Sequence, residues 1–138
     1  MMRMIFLVAS IAAATIAVSP EVKAEWPDRP IKLIVPFATG GPADIYGRFI
    51  AQKLTEATGQ SFVVDNRPGA GSVIGTDAVA KAAPDGYTLL LMSNAQTVNE
   101  SLIPIKPYNL LRDFVPVAPI NSSDLVLVAH PSLAASTT

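Results

Sequence analysis

Apolar and polar positions follow two alternating periods along this chain, and each change of period marks an element. Ile31, Leu33, Ile34 and Val35 form a near-continuous apolar run that predicts a buried strand. Tyr46, Phe49, Ile50 and Leu54 then recur at helical spacing, which predicts a helix over 43–58 closed by Gly59 as a left-handed cap. Phe62-Val63-Val64 predicts a second short strand, and Asp65 to Gly71 the Pro/Gly loop that ends it. From Ser72 as N-cap, a second helix runs through Ile74, Ala78 and Ala82 until Pro84-Asp85-Gly86 turns the chain. Tyr87 to Met92 reads as a third strand, apolar through Leu89, Leu90 and Leu91 and therefore buried on both faces. Strands separated by helices of this length imply right-handed crossovers and a parallel sheet, an α/β architecture.

The pattern changes at both ends. Past Pro104 the prolines at 107, 116 and 119 punctuate two β-rich runs, 114–120 and 125–129, joined by Asn121 to Asp124. They predict a hairpin-like pair or a strand crossing into a new layer. His130-Pro131-Ser132-Leu133 resembles a strand exit followed by a helix start. At the other end, Arg3 precedes an apolar run from Ile5 to Val18, and Val22-Lys23-Ala24 supplies small residues for cleavage. Residues 1–24 thus read as a secretory signal cut after Ala24, the run being shorter than the ~20 residues that span a bilayer.

Composition narrows the classes. The 138 residues carry a formal charge of −1 and no basic stretch, which argues against nucleic acid as a partner. Removing 1–24 takes Arg3, Lys23 and Glu21 and leaves −2. There is no cysteine, so disulfides, thiolate nucleophiles and cysteine metal sites are excluded. An exported chain without disulfides suits a bacterial periplasm. A half-sheet of three strands would leave apolar edges uncovered, and the chain reads as the N-terminal part of a longer protein.

The chemistry gathers in the loops that follow the strands. Gly40 and Gly41 separate a strand from a helix, where glycine admits a ligand to backbone N–H groups and the helix dipole favours an anion such as a carboxylate. The same glycines serve a purely steric turn equally well. Thr39 adds a hydroxyl; Asp44 can receive a ligand's amino or hydroxyl group or simply complement the helix dipole. Asn66 to Ser72 again lies between strand and helix, with Arg67 as a carboxylate clamp or a turn-bracing arginine. Ser93-Asn94-Ala95-Gln96-Thr97 follows the third strand with small hydrogen-bonding side chains, or with a plain helix cap. In an open α/β sheet all three loops emerge at one edge, where ligands bind. The Gly40-Gly41 segment is neither G-x-G-x-x-G nor a P-loop, which disfavours dinucleotides and nucleoside triphosphates.

Catalysis finds little support. His130 is the only histidine, lies beyond the loops, and has no G-x-S-x-G serine to serve. One histidine, no cysteine and scattered carboxylates define no catalytic set and no metal constellation, and no cofactor is implied.

A wider pattern then emerges. Trp26-Pro27-Asp28-Arg29-Pro30-Ile31, Val35-Pro36-Phe37 with Gly40-Gly41 and Asp44, and Asn66-Arg67-Pro68-Gly69-Ala70-Gly71 occur in order. Ala83 to Leu89, Asp113-Phe114 with Pro116-Val117, and His130-Pro131-Ser132 continue it. Together they resemble the periplasmic solute receptors of tripartite tricarboxylate transporters, the Bug family, over essentially the whole mature chain. The resemblance implies a type II periplasmic-binding-protein (Venus-flytrap) fold, with residues 25–103 as the N-terminal part of domain I. Residues 104–138 would be the crossover and the start of domain II. It implies capture of a small organic carboxylate, a di- or tricarboxylate or a carboxylate-bearing amino or aromatic acid, for delivery to membrane permease subunits. Carried over, the ligand-binding residues are Phe37, Thr39, Gly40, Gly41 and Asp44, then Ala70, Gly71 and Ser72, with Ser93 and Asn94 from the third loop. The competing expectations are an exported α/β enzyme acting on carboxylates with its catalytic residues elsewhere, and a receptor that reports its ligand to a signalling partner.

Overall fold

A computed structural model describes residues 26–122 together with Asp124, Val126 and Val128. The expected signal segment 1–24, most of the 125–129 run and His130 lie outside the described residues.

Three parallel strands form one sheet in the order β2-β1-β3, with β1 Ile31–Val35, β2 Phe62–Asn66 and β3 Thr88–Leu90. The first strand takes the middle place, so its apolar run is covered on both faces. Ile31, Ile34 and Val35 are at most 1% exposed, and only Lys32 reaches solvent. Parallel neighbours need helical crossovers, and the chain supplies them as α1 Pro42–Thr58 and α2 Val73–Ala80. The first crossover runs to one side of β1 and the second to the other, and right-handed connections, the rule for parallel strands, then set the two helices on opposite faces of the sheet.

On the α1 face, Ile31, Leu33 and Val35 pack with Ala51, Phe62 and Leu91. Here the helix differs from expectation. It buries Asp44, Gly47 and Ala51, whereas Tyr46 and Phe49 stand 48% and 58% exposed. The reason is proximity. A Cβ on Gly47 would lie 2.9 Å from Val35 Cγ2, so only small side chains fit between helix and sheet. The helix closes as predicted on Gly59, whose φ of 73° is left-handed and whose N–H reaches Thr55 O.

Other expectations are corrected. The third strand is shorter than 87–92 and half-buried, because β3 lies at the sheet edge and pairs only with β1. The second helix stops at Ala80. Ser72 stands at its start with φ 77°, and its side chain does not cap it. The run 114–120 forms no strand; Val115 and Val117 are 86% and 82% exposed, and its two prolines, Pro116 and Pro119, lack the N–H that a ladder needs. Two further helices follow β3: α3 Asn94–Leu102 and the short α4 Leu110–Asp113.

At the amino ends of the strands, the segment before β1 is pinned to the turn before β3. Arg29 stacks 4.1 Å from the centre of the Tyr87 ring and pairs with Asp85 at 2.8 Å. The Tyr87 hydroxyl donates to Asp28, and Trp26 lies against Gly86 and Tyr87. This fixes the sheet from the end opposite to the three loops.

Candidate functional site

Because β1 is flanked by β2 on one side and β3 on the other, the chain leaves the middle of the sheet in two directions. At such a switch point the loops diverge and open a crevice at the carboxyl ends of the strands. A cleft of about 520 Å³ lies there. Pro36, Phe37 and Ala38 form one wall, Gly69, Gly71 and Ser72 a second. Asn94, Ala95, Val98 and Asn99 of α3 form the third. Phe37 also borders a second hollow of about 400 Å³, bounded by Gly41, by Ala43 and Tyr46 of α1, and by Met92 and Ser93.

The first loop is held from below. Gly40 takes φ 82°, a conformation glycine adopts without strain, and its N–H donates to Asp44 Oδ2 at 2.8 Å. Asp44 is only 3% exposed, and Arg48 Nε lies 3.0 Å from its Oδ1. The Arg48 guanidinium, then the Gly40 amide, hold the Asp44 carboxyl below its ordinary pKa against the opposing effect of burial. Arg48 also donates to Asn66 Oδ1 at 3.1 Å, and Asn66 Nδ2 donates to Phe37 O at 3.2 Å. One guanidinium therefore ties the loop after β1 to the end of β2.

The second loop is a short 3₁₀ turn, Ala70–Ser72, leading directly into α2. Arg67 pairs with Asp65 at 3.0 Å and donates its backbone N–H to Val35 O, so it braces the turn. A Cβ on Gly75 would meet Arg67 O at 2.7 Å and Pro36 Cβ at 2.8 Å. Gly75 thus lets α2 rest directly on the starts of both loops.

The three helix starts differ in a way that matters for an anion. No side chain caps α1 or α2, although Val73 N–H at the start of α2 donates to Ala70 O; the remaining first-turn N–H groups have no side-chain acceptor. In contrast, α3 is capped. Ser93 Oγ accepts from Ala95 N at 3.1 Å, and Gln96 Oε1 accepts from Ser93 N at 2.9 Å, a reciprocal capping box.

Of the residues expected from sequence, Phe37, Gly71, Ser72 and Asn94 meet in the larger cleft, and Gly41 and Ser93 border the smaller hollow. Thr39, Gly40 and Ala70 are exposed in the loops beside them. Asp44 sits beneath the first loop, engaged by Gly40 and Arg48. Ala95 falls in the third segment that sequence reasoning singled out, but Val98 and Asn99 were missed. The apolar spacing of Ala95, Val98 and Leu102 was a signal for the helix that carries them. Among the described residues no three His, Cys, Asp or Glu side chains gather to hold a metal ion, and no helix is long and apolar enough to cross a membrane.

A parallel α/β sheet whose loops converge on a cleft at its switch point is the arrangement in which open α/β domains hold their ligands. Residues 46–138 match the family described as the tripartite tricarboxylate transporter family receptor, and the chain belongs to that family. It is 47% identical over 135 residues to protein BugT of Bordetella pertussis, an alignment covering 96% of this chain and 41% of BugT. The chain therefore spans about two fifths of the length of that relative. Among solved structures it is similar to the periplasmic binding protein BugD, with 48% identity, a TM-score of 0.46, and 47% of this chain and 22% of that one covered. The same shares are covered against R. palustris Rpa4515 with adipate, at 49% identity and a TM-score of 0.46.

Proposed function

We propose that this chain carries the carboxylate-anchoring part of a solute receptor serving a tripartite tricarboxylate transporter. The observation that supports this best is the convergence of the loops after β1, β2 and β3 on one cleft, with α2 starting beside it and α1 starting at the adjoining hollow, neither capped by a side chain. A carboxylate seated in that cleft would lie at the positive end of α2, with the start of α1 opening on the hollow beside it. Phe37, Gly41, Gly71, Ser72 and Asn94 are the proposed contacts, flanked by Thr39, Gly40 and Ala70. Asp44 and Ser93 would act by shaping the first and third loops.

In this reading the chain is exported, loses residues 1–24 after Ala24, and acts in the periplasm. Residues 25–103 belong to one lobe of a two-lobed flytrap, and 104–138 lead toward the second. Two lobes closing on the ligand exclude water and hand it to a membrane permease. N-terminal sequencing of protein recovered from the periplasm should begin at Glu25.

Ligand linkage gives the direct test. A ligand present at a hundred times its Kd stabilises the folded state by about 2.7 kcal/mol. Adipate, citrate, malate, glutamate and benzoate should be compared by thermal unfolding, with binding confirmed by calorimetry. A raised midpoint with at least one of them is expected. No shift with any of the five would refute carboxylate binding.

A further inference from the structure

The loop between β2 and α2 holds four consecutive residues with positive φ: Gly69 at 125°, Ala70 at 47°, Gly71 at 62° and Ser72 at 77°. Glycine adopts this region freely, but in Ala70 and Ser72 it crowds Cβ against the backbone. Such a conformation persists only where its surroundings over-determine it. The surroundings here are polar and come from α3. Asn99, 7% exposed, donates from Nδ2 to Gly71 O at 2.8 Å, with Ser72 Oγ 3.5 Å from the same nitrogen. One turn earlier on the same helix face, fully buried Gln96 donates to Thr76 Oγ1, which in turn donates to Ser72 O at 2.9 Å. The capping box at Ser93 fixes the start of α3 and therefore the reach of both amides.

Building on the carboxylate-binding reading above, we propose that Asn99 is a positioning residue that imposes the left-handed turn at Gly69 to Ser72 and so aims the second loop into the cleft. Without its bond, Gly71 O loses its partner, and Ala70 and Ser72 relax toward the right-handed backbone they prefer. The second and third loops are then one unit, joined through a polar seam that runs from Ser93 through Gln96 and Asn99 to Ser72.

The test is Asn99→Ala in the full chain, read by the three-bond amide–Hα couplings of Ala70 and Ser72, which report φ, and by calorimetry with adipate. Both couplings should move toward right-handed values, and adipate affinity should fall about tenfold. Adding Ala70→Gly should restore part of that affinity, because glycine re-enters the left-handed region without penalty. Asn99→Asp keeps the shape but loses the donor. It should lose the wild-type couplings at neutral pH and regain them on acidification, as a protonated carboxyl donates again. Wild-type couplings in a folded Asn99→Ala or neutral Asn99→Asp chain would overturn the proposal. If the wild type binds no carboxylate of the panel, that reading fails by itself, and the couplings still decide the role of Asn99.

Discussion

Replacing Gly75 by alanine isolates the contact on which both site loops rest. The added Cβ would lie 2.7 Å from Arg67 O, 2.8 Å from Pro36 Cβ and 2.9 Å from Pro36 Cα. Carbon–carbon contacts are ordinarily about 3.5–4.0 Å, so the overlap with the two Pro36 carbons approaches 1 Å, and the carbonyl oxygen of Arg67 is crowded as well. Those atoms belong to the backbone or to a rigid proline ring and cannot rotate away. Overpacking of this kind costs about 1–3 kcal/mol, more where backbone must move. Alanine regains up to about 1 kcal/mol of helix propensity over glycine. The net loss is on the order of 1–2 kcal/mol, or roughly 5–15 °C in Tm for a domain of about 100 residues. Gly59→Ala is the control. It also introduces a Cβ, but with nothing within 4 Å and only a left-handed backbone to strain. Thermal and urea unfolding should place Gly75→Ala below wild type, and calorimetry should show weaker carboxylate binding, because Pro36 and Arg67 open the two loops. Gly59→Ala should lose stability without losing affinity. A Gly75→Ala chain as stable as wild type, gaining only its helix propensity, would refute the close packing of α2 on the loops.

Two further outcomes follow from the side chains that shape the loops. Ser93→Ala removes the oxygen that accepts from Ala95 N–H, while the backbone N–H of residue 93 still reaches Gln96 Oε1, so urea unfolding should show a loss of about 1 kcal/mol. Asp44 has its folded pKa depressed below 3.8, so its contribution to stability is complete above that value and fades as pH falls through the lower folded one. Urea midpoints compared between pH 7 and pH 3 should fall more for wild type than for Asp44→Asn; parallel profiles would show that the Arg48 pair contributes nothing.

Backbone features were legible where one local cause sufficed. The strand Ile31–Val35 matches its apolar run residue for residue, and α1 begins one residue before expectation, with proline at its first position. Gly59 and the Pro84-Asp85-Gly86 turn were equally plain. What the pattern could not convey was distance. Tyr46 and Phe49 look like a core face until Gly47 brings the helix too close to Val35 for large side chains. The site divides in the same way. Three donor-rich loops on one edge follow from strand–helix alternation, but the partner of each side chain does not. Asp44 turns toward Gly40 and Arg48, Ser93 serves its own helix, and Asn99 reaches a carbonyl twenty-eight residues earlier. Such commitments depend on tertiary neighbours that no short window contains.

The central place of β1 has a consequence for the order in which this protein comes together. Ile31 pairs with Phe62 and Lys32 with Thr88, partners thirty-one and fifty-six residues further along the chain. The strand made first is therefore the strand completed last, since both of its edges wait for residues synthesised long after it. Helices can flicker into being as they emerge, but the sheet has no second half until the third strand arrives. Whatever the route the chain takes, this topology is itself a delay. It keeps the central strand, and the loop it carries, incompletely paired until the third strand is made.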